Sequence, residues 1–396
     1  MEAQLEKYKI EVQQELRNIL SYWVKYTVDE RHGGFVGKVD NDNNIDDTAP
    51  KGSVLNSRIL WSFSAAYNLT KNVQYLQMAE RAYKYIKRYF IDKDFGGVCW
   101  TVDYAGNPLD TKKQIYALAF AVYGLSEYFI STLEEDAKQL AIGLYETIVK
   151  HSYDEKNGGY TEAFTREWNE TNDLRLSDKD ANEKKSMNTH LHVLEAFTNL
   201  YRSWPDVQLK QRLTALIHIF IDHIIDSETH HLNLFFDEKW NPRGNIHSYG
   251  HDIEAAWLLQ EAAEVVGDAA LIQKLQSLSK SIAQAAAEGL DADGGLWYEY
   301  NAGENILTRE KHSWPQAEAM VGFFNAWQLT NDNSFLQKSL HSWNFIKEHI
   351  LHKAGGEWYW GITGNNVIMP GQDKVGLWKC PYHNSRACME IIKRIK

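Results

Sequence analysis

Apolar residues recur three or four positions apart along most of the chain, in segments separated by glycine-containing turns. This spacing is that of an α-helix with a buried face. The segments predict twelve helices, near residues 3–27, 53–70, 72–90, 110–131, 133–150, 186–203, 206–226, 249–267, 269–288, 314–330, 333–350 and 383–395. Links as short as Thr70-Lys71 and Asn331-Asp332 force the helices they join to run antiparallel. The pattern therefore predicts an all-α chain built from helical hairpins.

A glycine pair followed by aromatic or aliphatic residues returns along the chain and divides the helices into units. It stands at residues 33–35, 96–98, 158–160, 294–297 and 355–358, so the glycine pairs are spaced by 63, 62, 136 and 61 residues. The long gap holds a degenerate copy without the glycines, residues 231–237. Six units favour closure into a toroid over an open solenoid, as does the lack of a polar capping repeat at the C-terminus. We expect a closed barrel of six hairpins forming one domain, residues 1–396.

The long connections all fall at one end of the predicted barrel, and each carries the glycine turn and a short aromatic stretch. We expect small hairpins there, and a site at the mouth that these connections form. The even-numbered helices begin at this mouth. Their early turns carry the chemically notable side chains, which are Arg58, Tyr116, Asn188, His192, His251, Glu254, Trp314, Glu318, His383 and Arg386.

Histidines recur at equivalent positions of three of these helices. In the sixth helix, Asn188 and His192 share a stripe, whereas His190 lies about 200° from His192, so only one of the two imidazoles can face the interior. In the eighth helix, Glu254 follows His251 by three residues, which predicts a carboxylate beside the imidazole that fixes its tautomer and raises its basicity. One such histidine alone is more often a buried side chain that makes its hydrogen bonds within the protein, but three at equivalent positions favour a functional site.

Composition narrows the class of protein. The net charge of −11 and the pI near 5.8 oppose binding to nucleic acid. No apolar run approaches the roughly 20 residues that span a bilayer, and residues 1–16 form a charged amphipathic helix without the apolar centre of a signal peptide. Three cysteines without metal-ligand spacing predict reduced thiols. We therefore expect a cytoplasmic protein without nucleic-acid or membrane partners, a monomer or weak homo-oligomer.

Cofactor sites find little support in the sequence. Three histidines and a glutamate could ligate zinc, but His190 and His192 cannot converge on one helix, and neither a His-Glu-x-x-His motif nor a carboxylate cluster is present. The isolated glycines lack the strand context of a nicotinamide-binding turn. The 14 Trp, 21 Tyr and 15 Phe residues point instead to a small-molecule substrate. Aromatic rings suit the apolar C–H faces of a sugar, although we attribute about half of them to packing.

Four ordered motifs carry a resemblance to a known family. They are residues 187–197 (MNTHLHVLEAF), 250–259 (GHDIEAAWLL), 314–322 (WPQAEAMVG) and 376–390 (GLWKCPYHNSRACME). They resemble the cellobiose 2-epimerases of the N-acylglucosamine 2-epimerase superfamily, whose fold is an (α/α)6 barrel. The resemblance implies a cofactor-independent isomerase that inverts C2 of the reducing-end glucose of β-1,4-linked disaccharides.

Roles follow from the resemblance by position. His251 and His383 are implied to be the acid/base pair. The residues implied to surround the reacting carbons are His192, Arg58, Asn188, Glu254 and Glu318. Those implied to contact or support the sugar units are Tyr116, Trp314, Trp378, Asp180, Phe120 and Trp257. We expect one imidazole, with a pKa near the working pH, to remove the C2 proton of the ring-opened sugar, and the second to return one on the opposite face.

Other functions fit the same scaffold. Relatives of the family include mannobiose epimerases, N-acylglucosamine epimerases and aldose–ketose isomerases. A glycoside hydrolase would need two carboxylates flanking the scissile bond, for which Glu254 and Glu318 are the candidates. A helical-repeat binding protein would hold a carbohydrate without C2 exchange. Free glucose released from cellobiose would favour the hydrolase, and affinity without exchange would favour the binding protein.

Overall fold

The computed structural model describes all 396 residues and contains twelve α-helices. Their bounds are α1 (Glu2–Tyr26), α2 (Ser53–Thr70), α3 (Val73–Tyr85), α4 (Ile115–Thr132), α5 (Glu135–Ser152), α6 (Met187–Ser203), α7 (Val207–Ile219), α8 (Tyr249–Val266), α9 (Ala269–Ala286), α10 (Ser313–Thr330), α11 (Asn333–Phe345) and α12 (Tyr382–Arg394). π-Helical turns extend α3 (Ile86–Phe90), α7 (Phe220–Ile224) and α11 (Ile346–Ile350), and a 3-10 turn extends α9 (Ala287–Gly289). The largest difference from prediction is at α4, which starts five residues late because the residues before it form strands.

The even-numbered helices form a closed inner barrel. Each contacts the next, from α2 through α4, α6, α8 and α10 to α12, and α12 contacts α2. The odd-numbered helices α3 to α11 pack outside, each against the inner helix that precedes it. The sixth hairpin pairs the two ends of the chain, since α1 packs on α12. The fold is therefore the (α/α)6 barrel predicted from the repeats.

The inner and outer helices differ in how they are buried. The first 14 residues of α2 are all buried, whereas α3 buries only one face, through residues such as Tyr75, Ala79 and Ala82. Inner helices also approach closely, because Gly124 of α4 faces the backbone of α2: a Cβ there would lie 2.6 Å from the carbonyl oxygen of Ser57. Apolar sequence on all sides thus selects the inner position, and amphipathic sequence the outer one.

One helix, α4, is long and apolar enough to cross a membrane. The prediction from sequence that no segment comes near this length was therefore too strong. In the fold, 78% of this segment is buried inside the barrel, so protein covers its apolar surface.

Fifteen short strands lie in the long connections. They are β1 (Lys38–Val39), β2 (Ile45–Asp46), β3 (Lys51–Gly52), β4 (Thr101–Val102), β5 (Pro108–Asp110), β6 (Lys113–Gln114), β7 (Ala163–Phe164), β8 (Lys185–Ser186), β9 (Phe235–Phe236), β10 (Pro242–Arg243), β11 (Ile246–Ser248), β12 (Glu299–Asn301), β13 (Ile306–Thr308), β14 (Lys311–His312) and β15 (Gly361–Ile362). They form six antiparallel sheets, ordered β1-β2, β3-β4-β5, β6-β7, β8-β9-β10, β11-β12-β13 and β14-β15. In five of them, a strand that leads into an inner helix pairs with a strand of the following unit, which links neighbouring units around the mouth.

The glycine turns share one geometry. After each odd-numbered helix the chain reverses and forms an isolated antiparallel bridge, as between Val28 and Phe35. The degenerate fourth unit has the same bridge, between Ile225 and Leu232, and there His230 adopts the left-handed conformation with φ 62°. The unit without glycines therefore keeps the turn, which confirms the count of six.

Buried ion pairs fasten four of these turns to the inner helices. In each, a lysine two residues before the helix reaches an aspartate of the turn: Lys51 to Asp29 (2.6 Å), Lys113 to Asp92 (2.7 Å), Lys185 to Asp154 (2.9 Å) and Lys311 to Asp291 (2.7 Å). The four lysine side chains are at most 1% exposed. Breaking such a pair would leave a buried charge without compensation, so the pairs hold the start of each inner helix in place.

Candidate active site

A cavity of about 490 Å³ lies among the first turns of the inner helices and the mouth connections. Ten of the thirteen predicted site residues line it: Arg58, Tyr116, Asp180, Asn188, His192, His251, Glu254, Trp314, Trp378 and His383. Of the other three, Phe120 packs on Arg58 and His192, Glu318 bonds His383, and Trp257 bonds Glu318. The structure therefore brings predicted side chains from all six inner helices and two connections to one place.

The two histidines of α6 point in different directions. His192 lines the cavity, and its Nδ1–H donates to Glu195 Oε2 at 3.0 Å. His190 lies outside the cavity, where its Nδ1–H donates to the carbonyl oxygen of Ser186 at 2.6 Å and its Nε2 accepts from the Tyr160 N–H at 2.9 Å. His190 thus ties the third turn to the start of α6, and His192 is the imidazole available to a ligand.

His251 does not have the partner predicted for it. Its Nδ1 bonds the hydroxyl of Ser248, the residue before α8, at 2.8 Å. The Glu254 carboxylate instead accepts from Arg386 Nη2 at 2.5 Å. The prediction was wrong because helical spacing does not include charges on other helices: a guanidinium from α12 competes with the local imidazole for this carboxylate.

His383 receives its carboxylate partner from another helix. Its Nδ1–H donates to Oε1 of Glu318, on α10, at 2.7 Å, while Glu254 Oε1 lies 3.9 Å away. Trp257 Nε1 donates to the other oxygen of Glu318 at 3.1 Å. Glu318 and Trp257 therefore orient His383 from behind the cavity instead of contacting a sugar.

Arg386 lies at the centre of these contacts. Its Nη1 donates to Glu195, and its Nη2 donates to Glu254 at 2.5 Å and Glu318 at 2.7 Å. All three carboxylates are buried and come from α6, α8 and α10. The sequence showed no carboxylate cluster, but the fold assembles one from three helices around a single guanidinium.

This arrangement bears on the metal and hydrolase hypotheses. Ligand atoms of Glu254, Glu318 and His383 lie within 4.8 Å of one another, close enough to hold an ion. However, the guanidinium of Arg386 already supplies the positive charge that these carboxylates bind. Glu318 also lies behind the cavity, so Glu254 and Glu318 do not flank an open space as the two carboxylates of a glycoside hydrolase do.

Arg58 is a buried cation with no carboxylate partner. It is 3% exposed, its Nη2 donates to the Tyr116 hydroxyl at 2.7 Å, and its Nε has no partner. Phe120 lies under the guanidinium, with its centroid 4.1 Å from the central carbon, and also packs against His192. Arg58 lines the cavity and therefore brings to it a positive charge that no carboxylate neutralises and that would stabilise a negative charge on a ligand.

Three of the four imidazoles that line the cavity, those of His192, His251 and His383, are held neutral. Burial lowers the pKa of His251 to about 3. Burial and the positive charges of Arg58 and Arg386 lower the pKa of His192 and hold that of His383 well below its usual value. These values are lower than the near-neutral pKa expected from sequence, because desolvation outweighs the carboxylate partners. At neutral pH the imidazoles can accept protons.

Aromatic side chains form the walls. The Trp314 ring contacts both His251 and His383, with centroids 4.7 and 5.5 Å apart. Trp378 packs against Tyr116, with centroids 5.9 Å apart, and leads into the same space. Flat apolar surfaces beside charged and hydrogen-bonding groups are what a sugar needs.

Sequence reasoning missed part of the lining. The connection between β7 and β8 contributes residues 174–181 and Glu183, of which only Asp180 was predicted. Tyr298, His312 and Trp360 add a further aromatic wall, in which Tyr298 and His312 stack with centroids 4.0 Å apart. The aromatic residues after the glycine turns were a signal for the second set. The polar connection has no periodicity that could have pointed to it.

Comparisons with known proteins show which family and which solved structures the chain is similar to. The family model for N-acylglucosamine 2-epimerase (GlcNAc 2-epimerase) matches residues 33–387. A cellobiose 2-epimerase of Bacteroides fragilis is 49% identical over 97% of this chain and 98% of its own, and one of Dictyoglomus turgidum is 40% identical over 99% and 100%. The solved structure of cellobiose 2-epimerase from Bacillus thermoamylovorans superposes with a TM-score of 0.94 at 40% identity, covering 98% of this chain and 100% of that one.

Proposed function

The chain belongs to the N-acylglucosamine 2-epimerase family, and we propose that it is a cellobiose 2-epimerase, an isomerase acting on carbohydrates. The reaction is reversible inversion of C2 in the reducing-end glucose of β-1,4-linked disaccharides, converting cellobiose to glucosyl-mannose and lactose to epilactose. The identity to curated cellobiose 2-epimerases over nearly the whole chain supports this substrate class.

One observation carries the chemistry: the imidazoles of His251 and His383, from α8 and α12, meet in one cavity beside Trp314. Inversion at a carbon requires proton removal on one face and proton return on the other. Two imidazoles from different helices supply two such groups, and the imidazole of His192 lines the same cavity.

The proton on C2 becomes acidic only when the sugar is open and its C1 carbonyl can accept charge as an enediolate. One neutral imidazole removes this proton. The second imidazole, which took up the proton of the anomeric hydroxyl when the ring opened, returns a proton to the opposite face after the intermediate rotates. Arg58, which has no carboxylate partner, stabilises the negative oxygen together with His192. Trp378 and Trp314 hold the reducing and the non-reducing sugar units.

The experiment is incubation of the purified protein in heavy water with cellobiose, mannobiose, N-acetylglucosamine and mannose, followed by NMR of products and C2 labelling. The proposal expects a 2-epimer and C2 deuterium from cellobiose. Ketose products would identify an aldose–ketose isomerase, and preference for another sugar of the panel would identify the corresponding epimerase. Free glucose from cellobiose would indicate hydrolysis.

Two substitutions test the roles of the histidines. His383→Ala and His251→Ala should each abolish formation of the 2-epimer, because inversion needs a proton-transferring group on each face of C2. His341→Ala is the matched control, since His341 is exposed on α11. Formation of the 2-epimer at the wild-type rate in either cavity variant would rule out the acid/base role of that residue.

We also propose a cytoplasmic location and action without metal, organic cofactor, nucleic acid or membrane, as a single-domain monomer or weak homo-oligomer. The three cysteines are buried and unpaired, which fits a reducing compartment. The net charge of −11 supports the absence of a nucleic-acid partner.

A further inference from the structure

The cluster around Arg386 holds more negative than positive charge. Glu195, Glu254 and Glu318 are each at most 3% exposed, and all bind one guanidinium. The imidazoles that face the cluster are neutral, and the remaining cation nearby is Arg58. Three buried carboxylates in contact with one cation are too costly to be ionised together, because like charges and desolvation both favour a bound proton.

Hydrogen-bond donors show which carboxylate keeps this proton. Glu195 accepts from three groups: Arg386 Nη1, the Tyr382 hydroxyl and His192 Nδ1 at 3.0 Å. Glu318 also accepts from three: Arg386 Nη2 and His383 Nδ1, both at 2.7 Å, and Trp257 Nε1 at 3.1 Å. Several donors stabilise a carboxylate in its ionised form.

Glu254 differs from the other two. Its Oε1 accepts from Arg386 Nη2 at 2.5 Å, and its Oε2 is buried without any partner. The residue lines the cavity and is 0% exposed. An oxygen with no donor is the oxygen that carries a proton most readily, and no other protein group is bonded to a proton on Oε2.

We propose that Glu254 is protonated in the resting enzyme and is the acid that opens the sugar ring, a role that rests on the proposed function. Its proton passes to the ring oxygen as the C1–O5 bond breaks, and a neutral imidazole accepts the proton of the anomeric hydroxyl as the C1 carbonyl forms. Ring closure returns both protons. The carboxylate left on Glu254 is stabilised by Arg386 meanwhile.

Four groups that line the cavity near the first turns of the inner helices are poorly suited to this role. The Nδ1–H groups of His192 and His383 already donate to carboxylates, so their cavity nitrogens can only accept. Burial raises the pKa of the Tyr116 hydroxyl, which makes it a weaker acid. Glu162 also lines the cavity, and burial raises its pKa to about 8 as well. However, each of its oxygens is engaged, with the Ser186 N–H and with the Thr189 hydroxyl, whereas Glu254 has an oxygen without a partner.

The charges that face Glu254 agree with a bound proton. Glu195 approaches from α6, Glu318 from α10, Arg386 and His383 from α12, and Arg58 and Tyr116 from α2 and α4. Burial and the charge of Glu318 raise the pKa of Glu254 to about 8. The proton is therefore held at neutral pH and lost above it, so ring opening should slow as the pH rises through about 8.

The test is Glu254→Gln, since an amide of the same shape donates a hydrogen bond but cannot transfer a proton. Starting from one crystalline anomer of cellobiose, NMR follows enzyme-catalysed anomerisation and C2 exchange separately. Wild type should accelerate both, and the variant should lose both by about 100-fold or more with KM within about threefold. Glu264→Gln, at the exposed far end of α8, is the matched control.

Infrared difference spectra give a second readout that does not depend on turnover. Wild type at pH 7 should show the band of a protonated carboxyl group that Glu254→Gln lacks and Glu264→Gln keeps. Absence of this band, or anomerisation by Glu254→Gln within about threefold of wild type, would overturn the proposal. Failure of the proposed function is distinct: wild type would then epimerise no sugar, whereas the infrared band would still report the proton on Glu254.

Discussion

His190 offers a sharp test of how the turns are fastened to the inner helices. It is the fourth residue of α6 and bonds the Ser186 carbonyl and the Tyr160 N–H. Gln316, the fourth residue of α10, makes the same contacts: its amide nitrogen donates to the His312 carbonyl at 3.0 Å, and its oxygen accepts from the Leu296 N–H at 2.7 Å. His190→Gln therefore introduces at α6 the same residue that makes the equivalent two hydrogen bonds at α10.

The magnitudes follow from the contacts. His190→Leu leaves the buried Tyr160 N–H without a partner, at about 1–3 kcal/mol. It also removes a side-chain bond worth about 1 kcal/mol to the Ser186 carbonyl, which keeps its intrahelical partner as the N-cap of α6. We therefore expect a loss of about 2–4 kcal/mol in the free energy of unfolding. His190→Gln keeps both bonds and should cost about 1 kcal/mol or less at pH 7.5. Comparing the two variants thus separates the contribution of the two hydrogen bonds to stability from that of side-chain packing.

The pH dependence isolates the imidazole. Burial lowers the pKa of His190 to about 3, so below pH 6.5 the unfolded chain binds a proton that the folded protein does not. Wild type should therefore lose stability relative to His190→Gln by about 1.4 kcal/mol for each pH unit from 6.5 toward 3. The difference between the two proteins cancels the contributions of the cavity histidines.

The assay is urea unfolding, followed by tryptophan fluorescence and circular dichroism, at several pH values between 4.5 and 7.5. At pH 4.5 the Gln variant should have gained about 3 kcal/mol on wild type relative to their difference at pH 7.5. Parallel stability curves for the two proteins would mean that His190 is not held neutral by its two partners, and the reasoning would fail.

Three further outcomes follow from the structure. Trp314→Ala should raise KM for cellobiose far more than KM for glucose in steady-state kinetics, and equal losses would remove its role at the second sugar unit. Because the pKa of His251 is lowered to about 3, kcat/KM should show no fall near pH 6.5 on the acid side; a fall there would assign an unshifted imidazole. Gly159→Ala should cost about 2 kcal/mol or more, since its φ is +78° and a Cβ would lie 2.4 Å from Trp240. Gly143→Ala, where a Cβ on α5 would meet no other atom, should be neutral or stabilising. Thermal unfolding of both variants measures these two effects.

The helices were predictable because each inner segment is apolar over four or five turns and each outer segment alternates with helical period. The errors lie at boundaries set by long-range pairing. α4 begins late because Lys113 and Gln114 pair with Phe164 and Ala163 of the next unit, a contact that no local pattern contains. His230 replaces glycine in the fourth turn, since the flanking bridge holds the geometry.

The sequence allowed us to predict which residues reach the cavity, but not which side chains bond to one another there. Residues at the first turns of the inner helices reach one cavity because the topology places them there. Their partners, however, lie far apart along the chain: Arg386 bonds residues 191, 132 and 68 positions away. Helical spacing predicted that Glu254 would bond His251, but in the fold Glu254 bonds the guanidinium of Arg386 on α12.

Closure of the barrel and chemistry at the site depend on the same helix. α12 packs on α1, α2 and α10, and so joins the two ends of the chain. It also carries His383 and Arg386, which bind carboxylates from α6, α8 and α10. Without α12 in place, those carboxylates would be buried together without their cation, which is costly. The cation that makes the cluster tolerable therefore arrives only when the barrel closes, so a protein with its inner barrel open would lack both the second imidazole and the charge that fixes the state of Glu254.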